Sequence, residues 1–92
     1  MTSNRARISI LIAVYNGAEV LSNSIESLRN QSLKEIEIIC VDDFSSDDSL
    51  SVLEKYAKDD QRIRIVHFDS NRGTVCARKA GVEAATGEYI MF

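Results

Sequence analysis

Ile8-Ser9-Ile10-Leu11-Ile12-Ala13-Val14 is rich in β-branched residues and almost uninterrupted in its apolar character. That is the pattern of a strand buried on both faces in the middle of a sheet. From Ala18 to Asn30, Val20, Leu21, Ile25 and Leu28 alternate with polar residues and mark one helical face. Glu35 to Val41 repeats the strand signal through Ile36, Ile38, Ile39 and Val41, and closes on Asp42-Asp43. A second helix is expected from about Asp47 to Lys58, with Leu50, Leu53, Tyr56 and Ala57 inward and Ser45 or Ser46 capping its first turn. Ile63 to Phe68 reads as a third strand. Thr74 to Ala85 reads as a third helix whose small residues, Ala77, Ala80, Gly81 and Ala84, let it lie close to the sheet. Gly87 is expected to end that helix, and Tyr89 to Phe92 opens a fourth strand.

Four strands alternating with three helices predict an α/β, Rossmann-like parallel sheet of order 3-2-1-4 with helices on both faces. No linker or repeat divides residues 1–92, which are read as a single partial domain. The order places a switch point between the first and fourth strands. A ligand should therefore sit over the carboxyl ends of strands one, two and four, beside Tyr15-Asn16 and Asp42-Asp43. An enzyme of this class keeps its chemistry just past such strand ends, so the chain looks like a nucleotide-binding half cut short before its catalytic residues.

Composition narrows the partners. A net charge of −3 and 7% aromatic residues offer neither the basic stripe nor the stacking platforms of a nucleic-acid binder. A mononucleotide remains compatible. Cys40 and Cys76 lack metal-ligand spacing and read as buried, reduced thiols, which fits a cytoplasmic setting. The polar start, Met1 to Arg7, leads into an apolar run too short for a signal peptide or a bilayer span, so no transmembrane segment is expected in this chain.

Three segments carry candidate chemistry. Ala13-Val14-Tyr15-Asn16-Gly17 follows the first strand but holds one glycine. Without Gly-x-Gly-x-x-Gly or a Gly-Lys-Ser/Thr loop it is a poor phosphate cradle, which argues against a nicotinamide enzyme. Tyr15 could stack on a base while Asn16 holds the turn, or Tyr15 could simply cover the sheet end. Asp42 to Asp48 contains four carboxylates. Asp47 and Asp48 fit the first turn of the second helix, where negative charge complements the macrodipole. Asp42 and Asp43 instead sit on the edge of a central strand. Their acidity repels phosphate, so they suit a base N–H or ribose hydroxyl. Near the third helix, Arg72, Arg78 and backbone N–H groups could face a diphosphate, although Arg78 and Lys79 could equally be solvated charges. His67 reads as a structural or edge residue.

Taken together, Ile8–Gly17, Val41–Ser46, Asn71–Gly81 and Gly87–Phe92 resemble, in order and spacing, the family 2 glycosyltransferases of the GT-A fold. The resemblance implies a truncated GT-A domain with a donor site for a nucleotide sugar, most commonly a UDP-sugar. It places Ala13, Val14 and Tyr15, with Asn16, around the base, Asp43 on a base N–H with Asp42 nearby, and Arg78 or Arg72 toward the diphosphate. Ala13-Val14 stands where the family has Pro-Thr, Phe44 where it has a small residue, and Lys79 where it often has Asn. A divalent metal, Mn or Mg, is implied for the full-length enzyme, together with an inverting mechanism. Its Asp-x-Asp ligands and general base are expected beyond Phe92, so no catalytic residue and no metal ligand is assigned within the chain.

The implied role is transfer of sugar into a surface polysaccharide or glycan, in the cytoplasm or peripherally at the inner membrane face. The chain alone is expected to be inactive and to self-associate through its uncovered end. A non-catalytic mononucleotide-binding or interaction module is the first alternative. A receiver-type signalling domain, suggested by Val41-Asp42-Asp43, is the second.

Overall fold

The computed structural model describes residues 8–30 and 35–92; the polar segment before Ile8 lies outside the described residues. Strand β1 (Ile8–Val14) leads into helix α1 (Ala18–Arg29), followed by β2 (Ile36–Asp42), α2 (Ser49–Asp59), β3 (Ile63–His67), α3 (Thr74–Ala84) and β4 (Tyr89–Met91). The strands form one sheet in the order β3-β2-β1-β4, and every pair is parallel. A receiver domain places its third strand beside its first. Here β3 pairs with β2, which sets that alternative aside.

The two faces of the sheet divide the core by the period of two that extended backbone imposes. Val14, Ile36, Ile38 and Cys40 pack with Leu21 and Ile25 of α1 and Leu53 of α2. Leu11, Ile39 and Val41 point the other way, onto Phe68 and Ala77 of α3. All seven residues of β2 are buried, as a strand covered on both faces requires. Helix α3 lies close because a Cβ at Gly81 would stand 2.6 Å from the Leu11 side chain.

Several local expectations are corrected. Val20 is 64% exposed, because Leu21 and Ile25 already define the buried stripe of α1. Ser45 and Ser46 do not cap α2. The helix starts at Ser49 with Asp48 at the N-cap position and no side-chain cap there, so Asp47 and Asp48 precede its first turn. Helix α3 ends at Ala84, before Gly87. Cys40 is buried, and desolvation pushes its thiol up to about 12, so it is inert. Cys76 is exposed, since its neighbour Ala77 occupies the sheet-facing position of α3.

A charged residue inside apolar β2 organises the amino-terminal edge of the sheet. Glu37 is 6% exposed. Its Oε2 accepts hydrogen bonds from the Ser9 hydroxyl at 2.6 Å, the Thr86 N–H at 2.6 Å and the Thr86 hydroxyl at 2.9 Å. Arg64 donates to its Oε1 at 3.2 Å and to the Ala84 carbonyl at 2.7 Å. The Gly87 N–H donates to Ser9 Oγ at 2.9 Å, so one buried carboxylate fastens the loop that delivers β4 to β1.

Candidate functional site

At the carboxyl ends of β1 and β2 the two loops are stitched to each other. Asn16, in a left-handed conformation at φ 51°, donates its N–H to Ser45 Oγ at 2.9 Å. Its Oδ1 accepts the Ser46 N–H at 2.7 Å and the Asp47 N–H at 3.3 Å. Asp47 in turn accepts the N–H of Ala18 at 3.2 Å and of Ser49 at 2.9 Å, serving an otherwise unpartnered donor at the start of each of α1 and α2. The Ser49 hydroxyl is the leading cause that holds the Asp47 carboxyl below its ordinary value. Asn16 is thus a loop-positioning residue.

The paired aspartates diverge. Asp42 faces the α1/α2 layer, is fully buried, and binds His67 Nδ1 through Oδ2 at 2.9 Å, while its Oδ1 has no partner among the described residues. Its side chain joins β2 to β3 on the face opposite α3, and His67 has a structural partner. Asp43 faces α3. Its Oδ1 accepts the Arg72 N–H at 2.7 Å and its Oδ2 the Gly73 N–H at 2.8 Å. Asn71 Nδ2 also donates to the Asp43 carbonyl at 3.2 Å.

An internal carboxylate therefore takes N–H groups at the amino end of α3 that the sequence had offered to a diphosphate. The arrangement is what the helix macrodipole favours. Each Asp43 oxygen retains further lone-pair capacity, so an outside donor can still be accepted.

The groove runs from Asp43 along α3. A hollow of about 400 Å³ is lined by Ala13, Thr74, Ala77, Arg78 and Phe92 over Leu11, Ile12 and Val41. A smaller hollow of about 60 Å³ continues it to Tyr15 and Asp43, sharing Ala13, Thr74 and Ala77. Tyr15 is 56% exposed at one end. At the other, the Arg78 guanidinium lies 5.3 Å from the centroid of the Phe92 ring. The Val14 side chain is committed to the core, so only its backbone is left to a ligand. The structure also separates the two arginines. Arg72 stacks on Phe68 at 4.8 Å beside a different hollow, lined with Cys76, Lys79 and Glu83. Of the expected residues, Ala13, Tyr15, Asp43 and Arg78 line the groove; Asn16 supports it, and Asp42 and Arg72 side chains lie elsewhere.

Among the described residues no group of three or more His, Cys, Asp or Glu is placed to hold a metal ion. Asp43, the groove's carboxylate, is already engaged by two N–H groups. These residues do not fit a metal centre by themselves. Also among the described residues, no helix is long and apolar enough to cross a membrane.

The model of the family described as Glycosyl transferase family 2 matches residues 9–92. The chain belongs to that family, and its sheet is the Rossmann-like core of the GT-A fold. EpsH of Bacillus subtilis (strain 168), a glycosyltransferase by its name, is 46% identical over 85 residues, 92% of this chain and 24% of that protein. The poly(ribitol-phosphate) beta-glucosyltransferase of Bacillus spizizenii is 40% identical over 89 residues, 94% of this chain and 14% of its own length. Among solved structures, S. aureus TarS 1-349 in complex with UDP superposes with a TM-score of 0.85 at 27% identity, covering 94% of this chain and 26% of that one. The mannosyltransferase PcManGT from Pyrobaculum calidifontis, in complex with GDP-Man and Mn2+, gives 0.85 at 23% identity, covering 94% of this chain and 26% of its own; this likeness bears on the fold. The chain thus spans about a quarter of EpsH and of TarS 1-349.

Proposed function

We propose that the chain is the donor-binding part of an inverting, metal-dependent glycosyltransferase that takes its sugar from a nucleotide sugar, with UDP the nucleotide. The observation that carries this reading is the segregation of charge along the groove. Asp43 stands at the Tyr15 end and Arg78 at the Phe92 end. A carboxylate repels phosphate and accepts from a base N–H, whereas a guanidinium pairs with phosphate oxygens. The nucleoside therefore belongs at Tyr15 and Asp43, and the diphosphate toward Arg78. The UDP-bound neighbour supports the choice of nucleotide.

What the chain's own residues do is bind and orient. Asp43 fixes both the start of α3 and the base edge, Ala13 and Ala77 leave room between sheet and helix, and Arg78 draws the diphosphate. The metal, which would neutralise the leaving diphosphate, and the base that deprotonates the acceptor would come from other parts of the full-length protein. Turnover is not expected of these 92 residues alone. The acceptor in this reading is a growing surface polysaccharide or glycan, a class supported by the poly(ribitol-phosphate) relative, and the setting is the cytoplasm, free or peripheral at the inner membrane face. Exposed Tyr89, Ile90, Met91 and Phe92 at the β4 edge also favour self-association of the isolated chain.

Asp43→Asn tests the assignment. An amide can accept on one atom only, so the variant loses a charge-assisted bond either to α3 or to the base. UDP affinity should fall by roughly tenfold, on the order of 1.5 kcal/mol. Asp48→Asn, in the same acidic run but exposed beside α2, should leave binding unchanged. Equal losses in a UDP titration would mean that summed charge, rather than a specific contact, is being read.

A further inference from the structure

Among the described residues only two other than glycine have positive φ, and they lie in facing loops: Asn16 at 51° and Phe44 at 60°. Asparagine tolerates the left-handed region, and Asn16 uses it to bind four groups of the neighbouring loop. Phe44 has no such return. An aromatic residue there is a genuine outlier, yet Phe44 is 51% exposed and belongs to neither core cluster. The strain is not offset by burial.

The residues on either side of Phe44 are hydrogen-bonded to neighbouring segments. The Asp43 carbonyl accepts from Asn71, the Ser45 N–H donates to Asp42 Oδ2 at 3.4 Å, and the Ser45 hydroxyl accepts from Asn16. Parallel pairing of Val14 with Asp42 brings the next residues, Tyr15 and Asp43, to adjacent strand ends, with Phe44 one step further. Two exposed aromatic residues, Tyr15 and Phe44, thus follow the paired ends of β1 and β2, Phe44 next to Asp43 in the chain. Strain kept where it earns no packing is a signature of a functional position. A ring on pinned backbone offers a flat apolar face with little entropy left to lose.

Resting on the nucleotide reading above, we infer that Phe44 is a specificity-determining residue whose ring packs on the base of the bound nucleotide, on the side of Asp43 away from the diphosphate. Its contribution is then directed at the base and absent for a ligand that lacks one.

The test compares Phe44→Gly and Phe44→Tyr with the parent chain, titrating UDP and inorganic pyrophosphate by NMR and recording thermal melts. Glycine relieves the left-handed backbone, so the Phe44→Gly melt should be no lower than the parent's, which removes misfolding as an explanation. Its UDP affinity should fall on the order of tenfold, with the pyrophosphate response unchanged; Phe44→Tyr should bind UDP like the parent. If the parent binds UDP and Phe44→Gly binds it equally well, or if UDP and pyrophosphate weaken together, the role of Phe44 is overturned while the nucleotide site stands. If the parent shows no UDP binding, the nucleotide reading itself fails.

Discussion

Gly87→Ala is expected to unseat β4 and destabilise the chain by about 2–3 kcal/mol, combining an overpacked contact with a lost hydrogen bond. A Cβ at Gly87 would stand 2.7 Å from Ser9 Oγ, 2.8 Å from Ser9 N and 3.0 Å from the Ile8 carbonyl carbon. Two of those three atoms are β1 backbone, locked in register against Ile36 and Glu37, so they cannot yield without tearing the central ladder. Gly81→Ala is the contrasting case. The added Cβ meets buried Leu11 at Cδ2, 2.6 Å, and Cγ, 2.8 Å, which are side-chain rather than backbone atoms, and alanine gains about 1 kcal/mol of helix propensity in α3. Urea unfolding of the two variants should rank Gly87→Ala as clearly the more damaging. The reverse order would mean that the β4 approach is looser than the close contact with Ser9 implies.

Glu37→Ala should be at least as costly, about 2–4 kcal/mol, because it strands the fully buried Ser9 hydroxyl and the Thr86 N–H without an acceptor. The same carboxylate gives the fold an acid sensitivity. Burial alone would raise its pKa, but the hydrogen bonds from Ser9, Thr86 and Arg64 together outweigh desolvation and hold it below the ordinary 4.5. A carboxyl with a depressed folded pKa stabilises fully above its unfolded value and loses that contribution as pH falls through the folded one. Stability should therefore hold at neutral pH and decline as pH drops below about 4.5. Asp60, held low by its hydrogen bond from Arg62, adds to the decline further down, from 3.8. Glu37→Gln should start from lower stability and show a shallower acid slope in denaturation curves. An unchanged slope would remove Glu37 as a source of the dependence.

The fold was legible because parallel strands covered on both sides must be apolar throughout, and three such runs separated by helical periodicity leave few topologies. What the sequence left undivided at the candidate site, the geometry separates. Asp42 and Asp43 are equivalent as letters, but adjacent residues of a strand face opposite ways. Asp42 meets His67 while Asp43 meets α3. Alternation from Val41, inward on the α3 face, could have separated them. Arg72 and Arg78 likewise looked like one cluster, although Arg72 precedes α3 and stacks on Phe68. Glu37 was visible as a lone charge among isoleucines, and that conflict was the signal for a buried polar network. The strain at Phe44 left only the trace that an aromatic residue stands where the family pattern has a small one, because φ is set by the loop's partners rather than by the residue.

The central claim is that the groove between α3 and the carboxyl end of β1 receives a nucleoside diphosphate, base at Tyr15 and Asp43, phosphates toward Arg78. Amide and side-chain NMR shifts of the chain during a UDP titration read it directly. The account predicts saturable shifts confined to Ala13, Tyr15, Asp43, Thr74 and Arg78, with uridine alone moving the Tyr15 and Asp43 end and leaving Arg78 in place. Shifts centred instead on the charged hollow between α1 and α2, at Glu26, Arg29 and Lys55, would contradict it.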